Sequence, residues 1–418
     1  MKTHVKQARK RLFERMEPLS VAVLFSGKAP HKTTDQSYHY TPQRNFFYLT
    51  NINEPNMILL LNKGEDNEKC YLFIEESTDH VIKWEGARMS KEEASALSGI
   101  PVENIFYLDS FMSTINQIMN YARSPFGAPP KTLYLDLYHV KPEITPVALD
   151  YAKDIIHNYK ELSLKNINEH LAYLRMFKTE EELTEIKKAI SHTEKGLNTI
   201  LKNIKSRDFE YQLYADFMHA ITFDGSEGPA FNTIAASGKN ATILHYEKNN
   251  SALNHGELIL FDLGALHNNY ASDISRTFPI NGVFTARQKE LYNIVLNANK
   301  ETIKFVKPGI TWKELNDYAK NLLIESCKAI GLIKDDSEIS ELYYHSIGHF
   351  MGLDVHDVGY YHIPLEEGMV ITIEPGLYVK EEGIGIRIED DILVTKDGAI
   401  NLSSAIIKEI DDIEKAIK

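Results

Sequence analysis

The feature that most limits how this chain can fold is a set of acidic residues planted in apolar, strand-forming sequence. Asp262 and Asp273 lie within FDLGALHNNYASDISRTFP (261–279), Glu374 lies in TIEPGLY (372–378), and Glu389 lies in GIRIEDD (385–391). An unpaired carboxylate is costly to bury among such neighbours, so these residues need a shared, multiply charged cation. Asp262 and Asp273 are placed symmetrically about the His267–Asn268 bond, inside a His267–Asn268–Asn269 turn signal. A hairpin folded there is expected to set the two carboxylates directly opposite each other on one face. Glu374 and Glu389 repeat the arrangement about the Glu381–Glu382 bond. Like charges facing across a ladder repel unless a metal sits between them, so two acidic hairpins point to a two-metal site. His349, in HSIGHFMGLDVHD (345–357), is the imidazole that joins them.

At 418 residues the chain exceeds what one core usually supports, so two domains are expected. The first 165 residues carry short β-rich runs, VAVLF (21–25), FFYLT (46–50), MILLL (57–61), YLFI (71–74) and TLYLD (132–136), separated or followed by helical patterns near 90–97, 109–122 and 146–158. This predicts a small α/β domain over 1–165, with the Pro/Gly-rich ARSPFGAPPK (122–131) inside it. Residues 166–418 read as an α+β domain. Thr179 with Glu182 forms a capping-box pattern, so a long helix is expected to start there. Helices over 179–203, 208–222, 285–305 and 312–331 should alternate with strands over 229–235, 257–264, 270–278, 369–379 and 384–395.

A net charge of −13 argues against nucleic acid or an anionic membrane as a partner. No run of about 18 apolar residues is present, which argues against a transmembrane span. The basic N-terminus lacks an apolar leader core, and its Val5, Ala8, Leu12, Phe13 and Met16 have helical spacing. Cys70 and Cys327 are expected to be free thiols, and a cytoplasmic location fits both observations. Oxygen-rich ligation with a single histidine favours ions such as Mn²⁺, Co²⁺ or Fe²⁺ over structural zinc. The HSIGH segment does not read as a zinc-binding helix: it lacks a glutamate after His345, and Gly348 is a poor helix former.

With these residues in these positions, the chain resembles the pita-bread dinuclear metallopeptidases, and within them the Xaa-Pro aminopeptidase (aminopeptidase P) and prolidase family. The resemblance spans nearly the whole length. DQSYHYTPQRNFFYLTNINEPN (35–56) and VIKWEGAR (81–88) resemble its N-terminal domain, and ILHY (243–246) with the four acidic or histidine-rich stretches resembles its catalytic domain. It implies two divalent ions, most simply Mn²⁺. Asp262 would bind one, Asp273 and Glu389 would bridge both, and His349 and Glu374 would complete the other's shell. It also implies hydrolysis by a bridging hydroxide, with Glu374 as the proton shuttle that protonates the leaving proline nitrogen. His245 and His356 resemble the family's substrate-binding histidines, His356 being suited to the oxyanion. His345, Tyr378 and Arg387 match positions around the proline ring, and Arg387 is placed to brace Asp262. Asp35 and Trp84 match positions that reach a neighbouring subunit's active site in related enzymes, which implies a homodimer or homotetramer. The substrates implied are proline-containing peptides. The choice between an aminopeptidase and a strict Xaa-Pro dipeptidase (prolidase) depends on whether the outward end of the proline pocket is blocked. Asp390 and Asp391 are not expected to ligate.

Overall fold

The computed structural model describes residues 2–121 and 128–417, so residues 122–127 of the Pro/Gly-rich segment lie outside the described residues. The chain divides into two compact units, Met1–Arg175 and Met176–Lys418. The division falls ten residues beyond position 165, and the helix Asn168–Met176 packs with the first unit. Its Leu174 carbonyl accepts from the Tyr48 hydroxyl at 3.2 Å, and Arg175 Nη1 donates to Asn45 Oδ1 at 2.9 Å.

The first unit is built on a mixed sheet in the order Ile105–Tyr107, Glu68–Ile74, Ile58–Lys63, Ser20–Phe25, Thr132–Leu135, Ser163–Asn166. The central strands are buried on both faces, as their continuous apolar runs require. The FFYLT run (46–50), expected as β, is instead part of the helix Arg44–Thr50, capped by Asn51 in the left-handed region; the run is buried all round, and a short apolar run of that kind reads the same in a strand as in a buried helix. Val21, Val23, Leu60, Phe73, Leu133 and Leu135 pack against Phe111, Ile115 and Ile118 of one helix and Ala152 and Ile155 of another. The opening helix Lys2–Arg15 buries Val5, Ala8, Leu12 and Phe13, the stripe predicted from their spacing.

In the second unit the long helix runs Glu180–Asn203. Its capping box is formed as expected: Thr179 Oγ1 accepts from the Glu182 amide at 3.4 Å, and Glu182 Oε2 accepts from the Thr179 amide at 2.8 Å. Helices Glu210–Phe223, Ala286–Phe305 and Trp312–Ala329 follow. The strands depart from the expected continuous runs in an informative way. The 270–278 run splits into Tyr270–Ala271 and Ile274–Pro279, the 369–379 run into Val370–Ile373 and Gly376–Val379, and the 384–395 run into Ile384–Arg387 and Asp390–Thr395. Each break contains one of the expected ligands, Asp273, Glu374 or Glu389. The strand expected over 229–235 forms instead at Ile234–Ser237, on the edge of Leu258–Leu263.

The two acidic hairpins differ in register. In the first, the turn is Asn268–Asn269, both residues in the left-handed region at φ 47° and 62°, with His267 paired to Tyr270. Asp262 therefore faces Ser275, and the expected direct opposition of Asp262 and Asp273 is not formed. The turn needs two residues with positive φ, and only the Asn–Asn pair supplies them, so the register moves by one bond. Asp273 lies two residues from Ser275 and so keeps to the same face, diagonal to Asp262. In the second hairpin Ile373 pairs with Asp390 and Gly376 with Arg387, so Glu374 and Glu389 are opposed as expected.

Candidate metal centre

Pro375 explains why the second hairpin opens at its acidic pair. It has no amide proton to donate to the ladder, so pairing lapses between Ile373 and Gly376. Across the gap the Glu389 amide turns to the Ser275 carbonyl at 3.1 Å, linking this hairpin to the first. On the other edge of Val370–Ile373 runs the extended segment 347–351. The Thr372 amide donates to the His349 carbonyl at 2.9 Å and the Glu374 amide to Ile347 at 2.9 Å. This places His349 beside Glu374 and rules out a helical HSIGH segment.

The result is a compact set of donors. Ligand atoms of Asp262, Asp273 and Glu389 lie within 4.8 Å of one another, as do those of His349, Glu374 and Glu389. Asp273, His349 and His356 form a third such group, so the His356 ring, which lies 3.9 Å from His349 between centroids, is also within ligating reach. His349 Nδ1 lies 3.0 Å from the Phe350 carbonyl, which fixes the proton there and leaves the Nε2 lone pair facing Asp273 Oδ2 at 3.3 Å and Glu374 Oε1 at 3.7 Å. Three acceptors aimed at one another repel unless a cation or a proton is shared among them.

The electrostatics agree. Burial, then the charge of Glu389, pushes the Asp273 and Glu374 carboxyls well above the ordinary range, and burial, then Asp262, pushes Glu389 up to about 7. Asp262 Oδ1 and Asp273 Oδ1 are buried with no hydrogen-bond partner among the described residues. An oxygen-rich set with one or two imidazoles and orphaned oxygens fits divalent ions.

Arg387 is the organising cation. Its Nη2 donates to Asp262 Oδ2 at 2.6 Å, its Nε to Ser275 Oγ at 2.8 Å and its Nη1 to the Tyr378 hydroxyl at 2.9 Å. Ser275 in turn donates to Glu389 Oε2 at 2.8 Å. The Tyr378 hydroxyl lies 2.8 Å from His345 Nε2, and His345 Nδ1 lies 2.8 Å from the Ser346 carbonyl. These bonds run in one direction, Arg387 to Tyr378 to His345 to Ser346, and they need a neutral His345. Burial, with Arg387 nearby, pushes that imidazole down to about 4. His356 is likewise pushed down to about 4, by desolvation first and then His349.

A cavity of about 440 Å³ opens over the cluster, lined by His245, His345, His349, His356, Arg387 and the carboxylates, with Leu244, Trp312, Asn316 and Tyr361 on its walls. Tyr378 is 1% exposed and is not a wall residue; it meets the site only through its hydroxyl. Asp35 and Trp84 are exposed residues of the first unit and are not among the residues lining this cavity. Ser275 and Thr372, which holds the His349 amide at 3.1 Å, were not anticipated. The alternation of DISRT, which puts Ser275 on the face of Asp273, was the signal available for the first. Asp390 is turned away onto Arg276 and Lys408, whereas Asp391 accepts from the Asp273 amide at 3.2 Å.

Residues 184–396 match the model of metallopeptidase family M24, and residues 5–125 match that of the aminopeptidase P N-terminal domain. This chain belongs to metallopeptidase family M24. The M24 chain is 34% identical to the Xaa-Pro aminopeptidase of Haemophilus influenzae, over 99% of this chain and 96% of that one. A solved structure from Bacillus anthracis, provisionally assigned as an aminopeptidase P, superposes with a TM-score of 0.95 at 48% identity, covering 100% of this chain and 98% of that one. Zinc-substituted Escherichia coli aminopeptidase P in complex with product gives 0.89 at 29% identity, with the same coverage. The M24 fold here is therefore the α+β pita-bread domain preceded by an α/β domain of aminopeptidase P type, and an M24 metallopeptidase works with divalent metal ions.

Proposed function

We infer that this M24 metallopeptidase is an Xaa-Pro aminopeptidase, removing the residue that precedes a penultimate proline from peptides. The observation that carries this reading is the convergence of Asp262, Asp273, His349, Glu374 and Glu389 beside the Arg387–Tyr378–His345 chain, under one cavity. Asp262, Asp273 and Glu389 would hold one divalent ion, and Asp273, His349, Glu374 and Glu389 a second. The oxygen-rich donor set supports Mn²⁺. When bound, such ions polarise the scissile carbonyl and acidify the attacking water.

The remaining work falls to the protein's own groups. Glu374, which lines the cavity beside His349 and Glu389, is placed to take a proton from water and hand it to the leaving nitrogen. That step is needed because the proline amine is a poor leaving group until protonated. Neutral His356, open to the cavity, can donate to the carbonyl oxygen as charge develops there. His245 and His345 face the same space and would fix the peptide, with Arg387 setting the floor beside the proline ring. We place the enzyme in the cytoplasm as a homodimer or homotetramer, with Asp35 and Trp84 as residues offered to a neighbouring subunit. Among the described residues no helix is long and apolar enough to cross a membrane.

The test is a paired assay after chelation and Mn²⁺ add-back, comparing an Xaa-Pro dipeptide with an Xaa-Pro-Yaa tripeptide. Faster cleavage of the tripeptide is expected. Activity confined to the dipeptide would make the protein a prolidase, and cleavage of neither with metal bound would sink the substrate class.

A further inference from the structure

Outside the metal centre the second unit contains a buried carboxylate that none of the steps above uses. Glu210 opens the helix Glu210–Phe223 and is 0% exposed. Its Oε1 accepts from the Ser237 amide at 2.8 Å, the Ser237 hydroxyl at 2.7 Å and Asn240 Nδ2 at 3.0 Å. Its Oε2 accepts from the Tyr246 hydroxyl at 2.9 Å and the Ser251 amide at 2.8 Å. Both amides and the Asn240 amino group can only donate, so the site is built for an acceptor on both oxygens. One side chain thereby gathers the end of the strand Ile234–Ser237, the following turn, and the loop 244–251.

That loop delivers Leu244 and His245 to the wall of the cavity. The His245 ring is itself exposed, so its place is set by the backbone beside it. The next residue, Tyr246, is 8% exposed and tied to Glu210. Asn249, held at φ 46°, ties the same loop to the strand edge, accepting from the Ala235 amide at 2.8 Å and donating to the Thr233 carbonyl at 2.7 Å. The loop is thus pinned on Oε2 while Oε1 holds the strand end and turn it packs on, and Glu210 is not itself among the residues lining the cavity.

We propose that Glu210 is a positioning residue for His245, acting through Tyr246 and Ser251; this rests on the reading that His245 binds the peptide. Glu210→Gln keeps the shape and one acceptor oxygen for Ser237, but sets an amino group against the Ser251 amide, so it releases the 246–251 side of the node alone.

The experiment is a double-mutant cycle on an Xaa-Pro-Yaa tripeptide with metal-loaded enzyme: wild type, Glu210→Gln, His245→Ala and the pair. Glu210→Gln should lower kcat/KM about tenfold or more with metal content unchanged, since a displacement of about 1 Å is enough for such a loss. In the His245→Ala background the same substitution should change kcat/KM by less than about twofold. Equal losses in both backgrounds, or no loss in Glu210→Gln, would overturn the role of Glu210 while leaving His245 in place. An unimpaired His245→Ala enzyme would instead overturn the reading of His245, and the proposal with it. Should Glu210→Gln fail to fold, Tyr246→Phe removes only the hydroxyl and should show the same loss on a smaller scale, again absent without His245.

Discussion

Arg387 carries three roles that a different cation could not combine. Burial works against its charge, but Tyr378, Asp262 and Glu389 outweigh that and hold the guanidinium firmly protonated. Its planar fork reaches Asp262, Ser275 and Tyr378 together, whereas an ammonium is a point charge on a flexible stem. Arg387→Lys should therefore weaken metal binding by about 10- to 100-fold, as read by titration of the metal-free protein, because the partners that orient a ligand are lost. Glu374→Gln asks a narrower question. The amide keeps a ligand oxygen but carries no transferable proton, so hydrolysis should fall by at least about 100-fold while bound metal, measured by elemental analysis, stays near the wild-type level. Retained activity would remove the proton-shuttle role. The carboxylates and His349 were legible because each is expensive in apolar sequence and they occur together. Ser275 was not, although it joins Arg387 to Glu389. A serine in a strand costs little wherever it lies, so its type alone gives no signal.

At the level of elements, periodicity showed most of the strands and helices, but it misread the buried helix Arg44–Thr50 as β, displaced the strand now at Ile234–Ser237, and did not show where the strands break. Alternation and β-branching run straight through Asp273, Glu374 and Glu389, yet all three sit at interruptions. Leaving the pleat brings these side chains from two hairpins within reach of one another, as the proposed shared ion needs, and Pro375 was the one local sign that pairing would lapse. Register was recovered where the turn was unambiguous and missed by one bond where His267, Asn268 and Asn269 offered two centres. Only positive φ at both Asn268 and Asn269 settled it. Close approach of backbones was also invisible in the sequence. A Cβ on Gly348 would lie 1.9 Å from the Thr372 carbonyl oxygen, so the segment carrying His349 can lie along Val370–Ile373 only with glycine there. Gly348→Ala should push that segment off the strand, cost about 2 kcal/mol or more in denaturant unfolding, and weaken metal binding through His349. An alanine variant with unchanged affinity would show that the segment has slack.

For the molecule as a whole, a cluster of buried acids makes folding and metal binding one problem. Burial and mutual repulsion raise Asp273, Glu374, Glu389 and Asp391, with Glu389 at about 7, against an ordinary value of about 4.3 for a free glutamate. A carboxyl raised in the folded state stabilises the fold fully below its unfolded value, and that contribution is lost as pH rises through its folded value. Asp390 works in the opposite sense. Burial pushes it up, but Arg276 and Lys408 outweigh that and hold it low, so its contribution is lost only in strong acid, outside this window. His345 and His356, pushed down to about 4, add stability as pH rises to their unfolded value of about 6.5, so they oppose the acids in the lower part of the window, these two groups against those four, and are silent above that value. The metal-free protein should therefore melt at progressively lower temperature from about pH 5 to pH 8. Divalent ions replace the protons that neutralise the cluster, and they compete with those protons for the same oxygens. The gap in melting temperature between protein with saturating Mn²⁺ and chelated protein should accordingly widen across that range. Paired thermal scans at about pH 5, 6, 7 and 8 measure it. A gap that stays constant with pH would mean the acids are ionised without metal, and that the fold does not depend on an ion to hold its centre together.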